Sequence, residues 1–211
     1  MTRNFFYVIL IALTAFSSCT KDRDTDISFT PIATEGPYVR LHVWDFNQDR
    51  SKEGLLEPAV SFDFARLAIQ ASDWDGAEGT LVNIANEIDS VPPGNALRVR
   101  NPSQYMDIMF STMGYGSIRV SYAGMRTNNG AKSQQISFST DGVNFSSYGI
   151  QNFVIEPDTD WRRFEIDLNT VPAIANVSIA YLRITFADGN NGDSGNNRFD
   201  NIIVEGRKLS E

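Results

Sequence analysis

The chain has 211 residues, with 26 acidic and 18 basic side chains and a formal net charge of −8. One cysteine excludes an internal disulfide and a cysteine-based zinc site, and one histidine excludes a His-rich metal centre. The acidic balance argues against nucleic acid as a partner, because binding a phosphate backbone requires basic surface.

The chain opens MTRNFFYVILIALTAFSSC. Arg3 supplies a short positive region, and Phe5 to Phe16 is an almost unbroken apolar run of 12 residues. That run is shorter than the roughly 20 residues needed to cross a bilayer, and it has the length of a signal-peptide core. Ser17 and Ser18 then precede Cys19. A lone cysteine after small residues resembles a bacterial lipobox, with Phe16 where the pattern prefers Leu. The charged, acidic stretch Thr20 to Asp26 resembles the export signal of surface lipoproteins of the Bacteroidota. The resemblance implies loss of the signal peptide 1–18 and a lipid on the Cys19 thiol. It also implies a surface-exposed place on the outer membrane, with the lipid as the only contact to it. Two or more buried acyl chains make such an anchor stable. Residues 19–37 are read as the lipidated cysteine and a polar tether, and residues 38–211 as one domain.

From Tyr38 onward, short alternating runs stand between Gly, Asn, Asp and Ser clusters, the pattern of an all-β protein. Val39 to Phe46 is a first strand, Ala96 to Arg100 and Tyr105 to Phe110 are two more, and Phe62 to Ile69 suits a strand or a short helix. Ser117 to Ala123 places Ile118, Val120 and Tyr122 on one face, and Gln134 to Ser139 places Gln134, Ile136 and Phe138 together. Arg162 to Leu168 turns Phe164, Ile166 and Leu168 inward. Tyr181 to Phe186 turns Leu182, Ile184 and Phe186 inward, leaving Tyr181, Arg183 and Thr185 outward. Arg198 to Glu205 is the last strand. One apolar face per strand predicts two antiparallel sheets packed as a sandwich. Thr140-Asp141-Gly142 is a hairpin turn, and Asp188 to Asn197 is the longest turn-forming stretch.

Three segments carry a pattern: Trp44-Asp45-Phe46-Asn47; Phe138-Ser139-Thr140-Asp141-Gly142-Val143-Asn144-Phe145; and Asn196-Asn197-Arg198-Phe199-Asp200-Asn201-Ile202. Their order and spacing resemble secreted bacterial jelly-roll domains, similar in architecture to galactose-binding-like carbohydrate-binding modules. The resemblance covers roughly residues 41–206, and residues 50–95 match nothing specific in it. It implies a jelly-roll sandwich and a non-catalytic secreted module.

In such modules, carboxylates on the first and last strands hold a structural calcium, so the resemblance makes Asp45 and Asp200 candidate ligands. Calcium takes 6–8 oxygens, and Asn47, Asp49, Asp193 and Asn197 would supply more. The plain alternative is that Asp45 and Asp200 accept turn N–H groups. Glycan binding needs a flat aromatic ring beside planar polar groups. Trp74, between Asp73 and Asp75 in an expected loop, is the first platform candidate, and Tyr115 and Tyr148 also sit beside glycines. Arg126 and Gln135 are the polar partners, and Trp44 and Trp161 are expected in packing roles. Arg98, Arg100, Arg119, Arg163 and Arg183 have two readings: a row lining one sheet face, or, as expected, pairs with Glu165 and Asp167 across strands. No carboxylate pair stands out for glycoside hydrolysis, and His42 reads as an ordinary strand residue.

The sequence therefore reads as a non-catalytic, lipid-anchored carbohydrate-binding module with a possible structural calcium and no organic cofactor. The alternatives are an adhesion or structural protein-interaction module without a glycan ligand, and a glycoside hydrolase.

Overall fold

A computed structural model of the chain describes residues 33–79, 91 and 94–210. The signal segment, Cys19 and the tether up to residue 32 lie outside the described residues. Ten strands are described: β1 (Thr34–Trp44), β2 (Val60–Ser61), β3 (Ala65–Glu78), β4 (Asn95–Phe110), β5 (Tyr115–Arg126), β6 (Ser133–Ser139), β7 (Val154–Ile155), β8 (Arg162–Asp167), β9 (Ala180–Ala187) and β10 (Asn196–Leu209). Single 3-10 turns occur at Gly54–Leu56 and Pro172–Ile174.

Every pairing is antiparallel. One sheet runs β2-β1-β10-β5-β8 and the other β3-β4-β9-β6-β7. With β2 and β3 set aside, the eight remaining strands, counted in chain order, stand as 1-8-3-6 and 2-7-4-5. This is the jelly-roll order of two Greek keys. The sheets are continuous at one corner, where Asn196–Phe199 of β10 pairs with Leu97–Arg100 of β4 on one side and with β5 on the other. Beyond the cis Asn101–Pro102 bond, β4 pairs with β9 instead. Its two halves, expected as separate strands, are one bent strand. β3 follows the bend with register shifts between Gln70 and Asp73.

Alternation explains the core. Met106, Ile108 and Phe110 of β4, Ile118, Val120 and Tyr122 of β5, Leu182 and Ile184 of β9, and Phe199, Ile202 and Val204 of β10 are all at most 1% exposed. Each such side chain contributes roughly 1.5–3 kcal/mol relative to exposure. The Tyr122 hydroxyl donates to Gln134 Oε1 at 2.5 Å inside this core, and burial pushes its pKa up. Trp44 is fully buried, its indole N–H on Leu56 O, and Trp161 packs in a smaller cluster with Val43, Ala123 and Ile203.

Several boundaries differ from expectation. β1 begins at Thr34, inside the expected tether, and ends before Phe46, whose φ of 56° takes it out of the strand. Of the stretch at 62–69, the part from Ala65 on opens strand β3, which runs through Trp74 to Glu78. Turn-forming residues stay extended there because β4 lies alongside, with Asp75 bonded to Arg98 and Arg100 across the pair. The arginines pair mostly with acids other than those expected. Arg119 meets Glu205 and Arg183 meets Asp107, while Arg163 meets Glu165 on its own strand.

The molecule has two distinct ends. Ala33, Leu209 and the β4–β5 turn share one end, since Ser210 N–H donates to Ala33 O and Leu209 N–H to Gly114 O. The opposite, distal end carries the β5–β6, β7–β8 and β9–β10 connections.

Candidate functional site

Side chains opposite the core on the second sheet form a ladder of rows. Gln70, Tyr105, Thr185, Gln135 and Val154 stand in one row across β3, β4, β9, β6 and β7. The next row is Ala68, Asp107, Arg183 and Ser137. Arg183 is the centre of the face. Its Nε and Nη2 donate to the two oxygens of Asp107 at 2.7 and 2.8 Å. Its guanidinium carbon lies 3.8 Å from the Tyr105 ring centre and 3.7 Å from that of Phe145. The bidentate pair raises the Arg183 pKa, so the group stays charged and its plane is fixed.

Phe145 reaches this place because of the 140–144 turn. Asp141 accepts the Val143 and Asn144 N–H groups at 2.8 Å, and those donors hold its pKa far below the usual carboxylate range. Gly142 has φ of 73° and lies so close to the Tyr181 ring that a Cβ there would sit 3.0 Å from it. The chain then returns to bridge Phe138 with Ser146, leaving Phe145 over Arg183. The face thus combines aromatic rings, a rigid guanidinium, and the amides and hydroxyls of Gln70, Gln135 and Thr185. Gln135 is exposed, while Tyr105, Phe145, Tyr181 and Arg183 are half-buried.

A second concavity lies at the distal end. A cleft of about 570 Å³ is lined by Arg126, Lys132, Glu156, Asp158, Arg162 and Asp188, and a groove of about 330 Å³ shares Lys132 with it. No aromatic side chain lines either. Asp158 accepts the Thr159 N–H and pairs with Arg162, which lowers its pKa; a general acid needs the opposite shift. Asn101 holds these loops together. Its buried side-chain NH₂ faces Asn129 O, Gly189 O and Ser194 O at 2.7, 2.9 and 3.1 Å.

The four expected glycan residues are spread over several places. Trp74 stands in β3 rather than a loop. It is half-buried against the core, with Lys52 Nζ 4.7 Å above its ring, so its flat face is covered. Tyr115 packs edge-on to Phe62 at 5.3 Å, at the other end of β5 from Arg126. Arg126 lines the distal cleft and ties its loops through Pro157 O, Thr127 O and Asn128 O. Gln135 lies on the Arg183 face. Tyr105, Asp107 and Phe145 were not singled out as binding residues from the sequence, and Arg183 was named only as one of several outward arginines. The alternation shows Arg183 to be outward, but nothing local shows which strands flank it.

Asp200 is fully buried in β10. One of its oxygens accepts the Asn201 N–H, and the other, Oδ2, has no partner among the described residues. Burial pushes its pKa up to about 8; the Asn201 N–H opposes the shift and the charge of nearby Asp45 adds to it. An orphaned buried oxygen near a second carboxylate, Asp45, whose Oδ1 accepts the Asn47 N–H, fits a hard cation such as calcium. Among the described residues no three acidic, His or Cys side chains cluster, so amide and backbone oxygens would complete such a shell. Asn197 does not contribute its amide, which is occupied by Ala131 N and O. Asn47 Oδ1 is likewise taken by Asn95 N–H.

No protein-family model matches the chain, and no curated protein matches it. Among solved structures it is similar to the K2 adhesin domain of Lys-gingipain, at 10% identity and a TM-score of 0.45, over 80% of this chain and 99% of that one. It is also similar to the family 11 carbohydrate-binding module of a cellulosomal cellulase of Clostridium thermocellum, at 16% identity and a TM-score of 0.40, over 84% and 99%. A third similar chain is an arabinose-bound α-L-arabinofuranosidase, at 14% identity and a TM-score of 0.49, over 84% of this chain and 30% of that one.

Proposed function

We propose that the domain is a non-catalytic glycan-binding module, held at the outer-membrane surface by a lipid on Cys19. The observation that carries the binding reading is the Tyr105–Arg183–Phe145 stack, locked by Asp107 beside the exposed Gln135. A sugar ring presents an apolar C–H face and a rim of hydroxyls. The ring surfaces of Tyr105 and Phe145 turned away from Arg183 suit the first, and fixed amides and hydroxyls suit the second. The position of the single cysteine after Ser17-Ser18 supports the anchor.

Glycan-array binding of the full chain tests the site. Tyr105→Ala and Gln135→Ala should each weaken binding about tenfold, equivalent to about 1.4 kcal/mol, and Lys132→Ala should leave it unchanged. Loss of binding in Lys132→Ala alone would move the site to the distal cleft. A folded protein that binds no glycan would instead favour the protein-interaction module. We also assign Asp45 and Asp200 as ligands of a structural calcium. Chelation should then lower Tm, added calcium should restore it, and Asp200→Asn should abolish the difference.

A further inference from the structure

The exposed apolar side chains are distributed unevenly between the two ends. Of the exposed large apolar side chains among the described residues, Val39, Val60, Phe153 and Val154 lie on or beside β1, β2 and β7, and five others sit in turns and loops: Phe62, Phe64 and Met113, 45%, 44% and 47% exposed, and Val143 and Tyr148, 79% and 57% exposed. All five lie at the end where the chain enters the domain. Phe62 follows β2 and its N–H donates to Leu41 O; Phe64 precedes β3 and its carbonyl accepts from Ser111. Met113 is in the β4–β5 turn, beside Gly114, whose carbonyl holds Leu209. Val143 tips the turn after β6, whose last residue pairs with Tyr181 near the start of β9. Tyr148 adjoins Gly149, whose carbonyl accepts from Thr170 in the β8–β9 connection at this same end. None of the exposed large apolar side chains among the described residues falls in the distal loops at 127–132, 156–162 or 188–195.

These side chains project from loops and turns at the ends of neighbouring strands. The positions before β3, after β4 and after β6 span three inter-strand spacings, about 14 Å. Aromatic, Met and Val side chains on turn tips suit the interfacial layer of a bilayer, where such groups insert individually.

The course of the chain points to the same surface. Residues 20–33 separate Cys19 from Thr34, and 14 residues reach at most about 50 Å. Two acids at this end are held in place, and Glu35 pairs across the strands with Lys208. Asp63 is bonded to Ser111 and Asp141 to its own turn, which holds both pKa values below the usual range. Both stay charged and beside the apolar tips, so the contact with lipid is assigned to the apolar side chains and not to these acids.

We infer that Phe62, Phe64, Met113 and Val143 rest on the membrane surface and stand the domain upright, with the distal cleft facing outward. This rests on the lipid anchor at Cys19 proposed above. The test uses the full acylated chain in phosphatidylethanolamine–phosphatidylcholine vesicles. Met113→Cys and Asn191→Cys variants each carry an environment-sensitive fluorophore. The label at 113 should shift to the blue and be quenched by spin-labelled lipid, and the label at 191 should not respond. Phe62→Ser with Phe64→Ser should reduce quenching at 113 severalfold while the protein still sediments with vesicles. High salt should leave the quenching unchanged. Sedimentation with equal responses at 113 and 191 would overturn the docking and leave the anchor standing. Failure both to incorporate acyl chains and to sediment would refute the anchor and the docking together. Protection of position 113 that grows with protein concentration in the absence of lipid would assign this end to a second copy, and would also overturn the proposal.

Discussion

Single residues here are read through their partners. Arg183 illustrates this: its 22% side-chain exposure would leave the guanidinium mobile if Asp107 did not hold two of its N–H groups. Asp107→Asn puts an NH₂ against the fork and should cost about 1–3 kcal/mol in urea denaturation. It should also weaken glycan binding, because the ring–guanidinium stack loses its fixed plane. His42 is fully buried between Ser61 Oγ and Ser111 O. Nε2 donates to the Ser111 carbonyl, and Nδ1 meets Ser61 Oγ, whose own proton is directed to Asp63 O. Burial lowers its pKa from 6.5, opposed by the Ser111 bond and the Asp63 charge. Below pH 6.5 the unfolded chain therefore binds the proton before the folded one does. The His42 contribution to stability falls on acidification through this window, by at most about 1.4 kcal/mol per pH unit, while Asp200, with its pKa raised to about 8, contributes the opposite slope. His42→Gln should remove that contribution, so that between pH 6.5 and about 5 the variant gains stability relative to the wild type as the pH falls, read by urea denaturation at each pH.

At the scale of elements, β4 does the most to join the parts. Its first half lies between β3 and β10 and its second between β3 and β9, so one strand belongs to both sheets. Asn101 sits at the bend, and its side chain replaces a ladder by holding three loop carbonyls. Asn101→Ala leaves those carbonyls without this donor and should cost about 2–3 kcal/mol by denaturant titration. Asn101→Asp, which turns an oxygen toward them, should cost more. Strand identity was legible for most elements because the alternation of β5, β6, β8 and β9 has period 2. The β3 extension was not legible. Ala71 to Glu78 contains Ser, Asp and Gly, and its extended form depends on Arg98 and Arg100 arriving from β4.

For the whole molecule, the shared corner makes the two sheets one cooperative body. β10 pairs with β1, β4 and β5, so no sheet can open while the other stays closed. Calorimetry of the full chain should show a single transition for residues 33–210, with calorimetric and van't Hoff enthalpies equal. Two resolved transitions would contradict this. The jelly-roll path also places the chain's entrance and the distal cleft at opposite ends of β5, about 36 Å apart. A short local pattern cannot encode that separation, because it is set by which strands become neighbours.

The sequence alone determined the all-β class, the inward face of most strands, and the turn at Asp141-Gly142. Each follows from side-chain periodicity or from the φ that glycine permits, and both are local properties. Only the tertiary structure decided which outward residues share a surface. Asp107 and Arg183 are 76 positions apart and meet because β4 and β9 pair, and Phe145 joins them because a turn folds back over β6. Trp74 was drawn toward a loop by its acidic neighbours and instead became part of a strand with its ring covered. A binding face is assembled from non-local neighbours, and their identity depends on the register between strands that the chain places far apart.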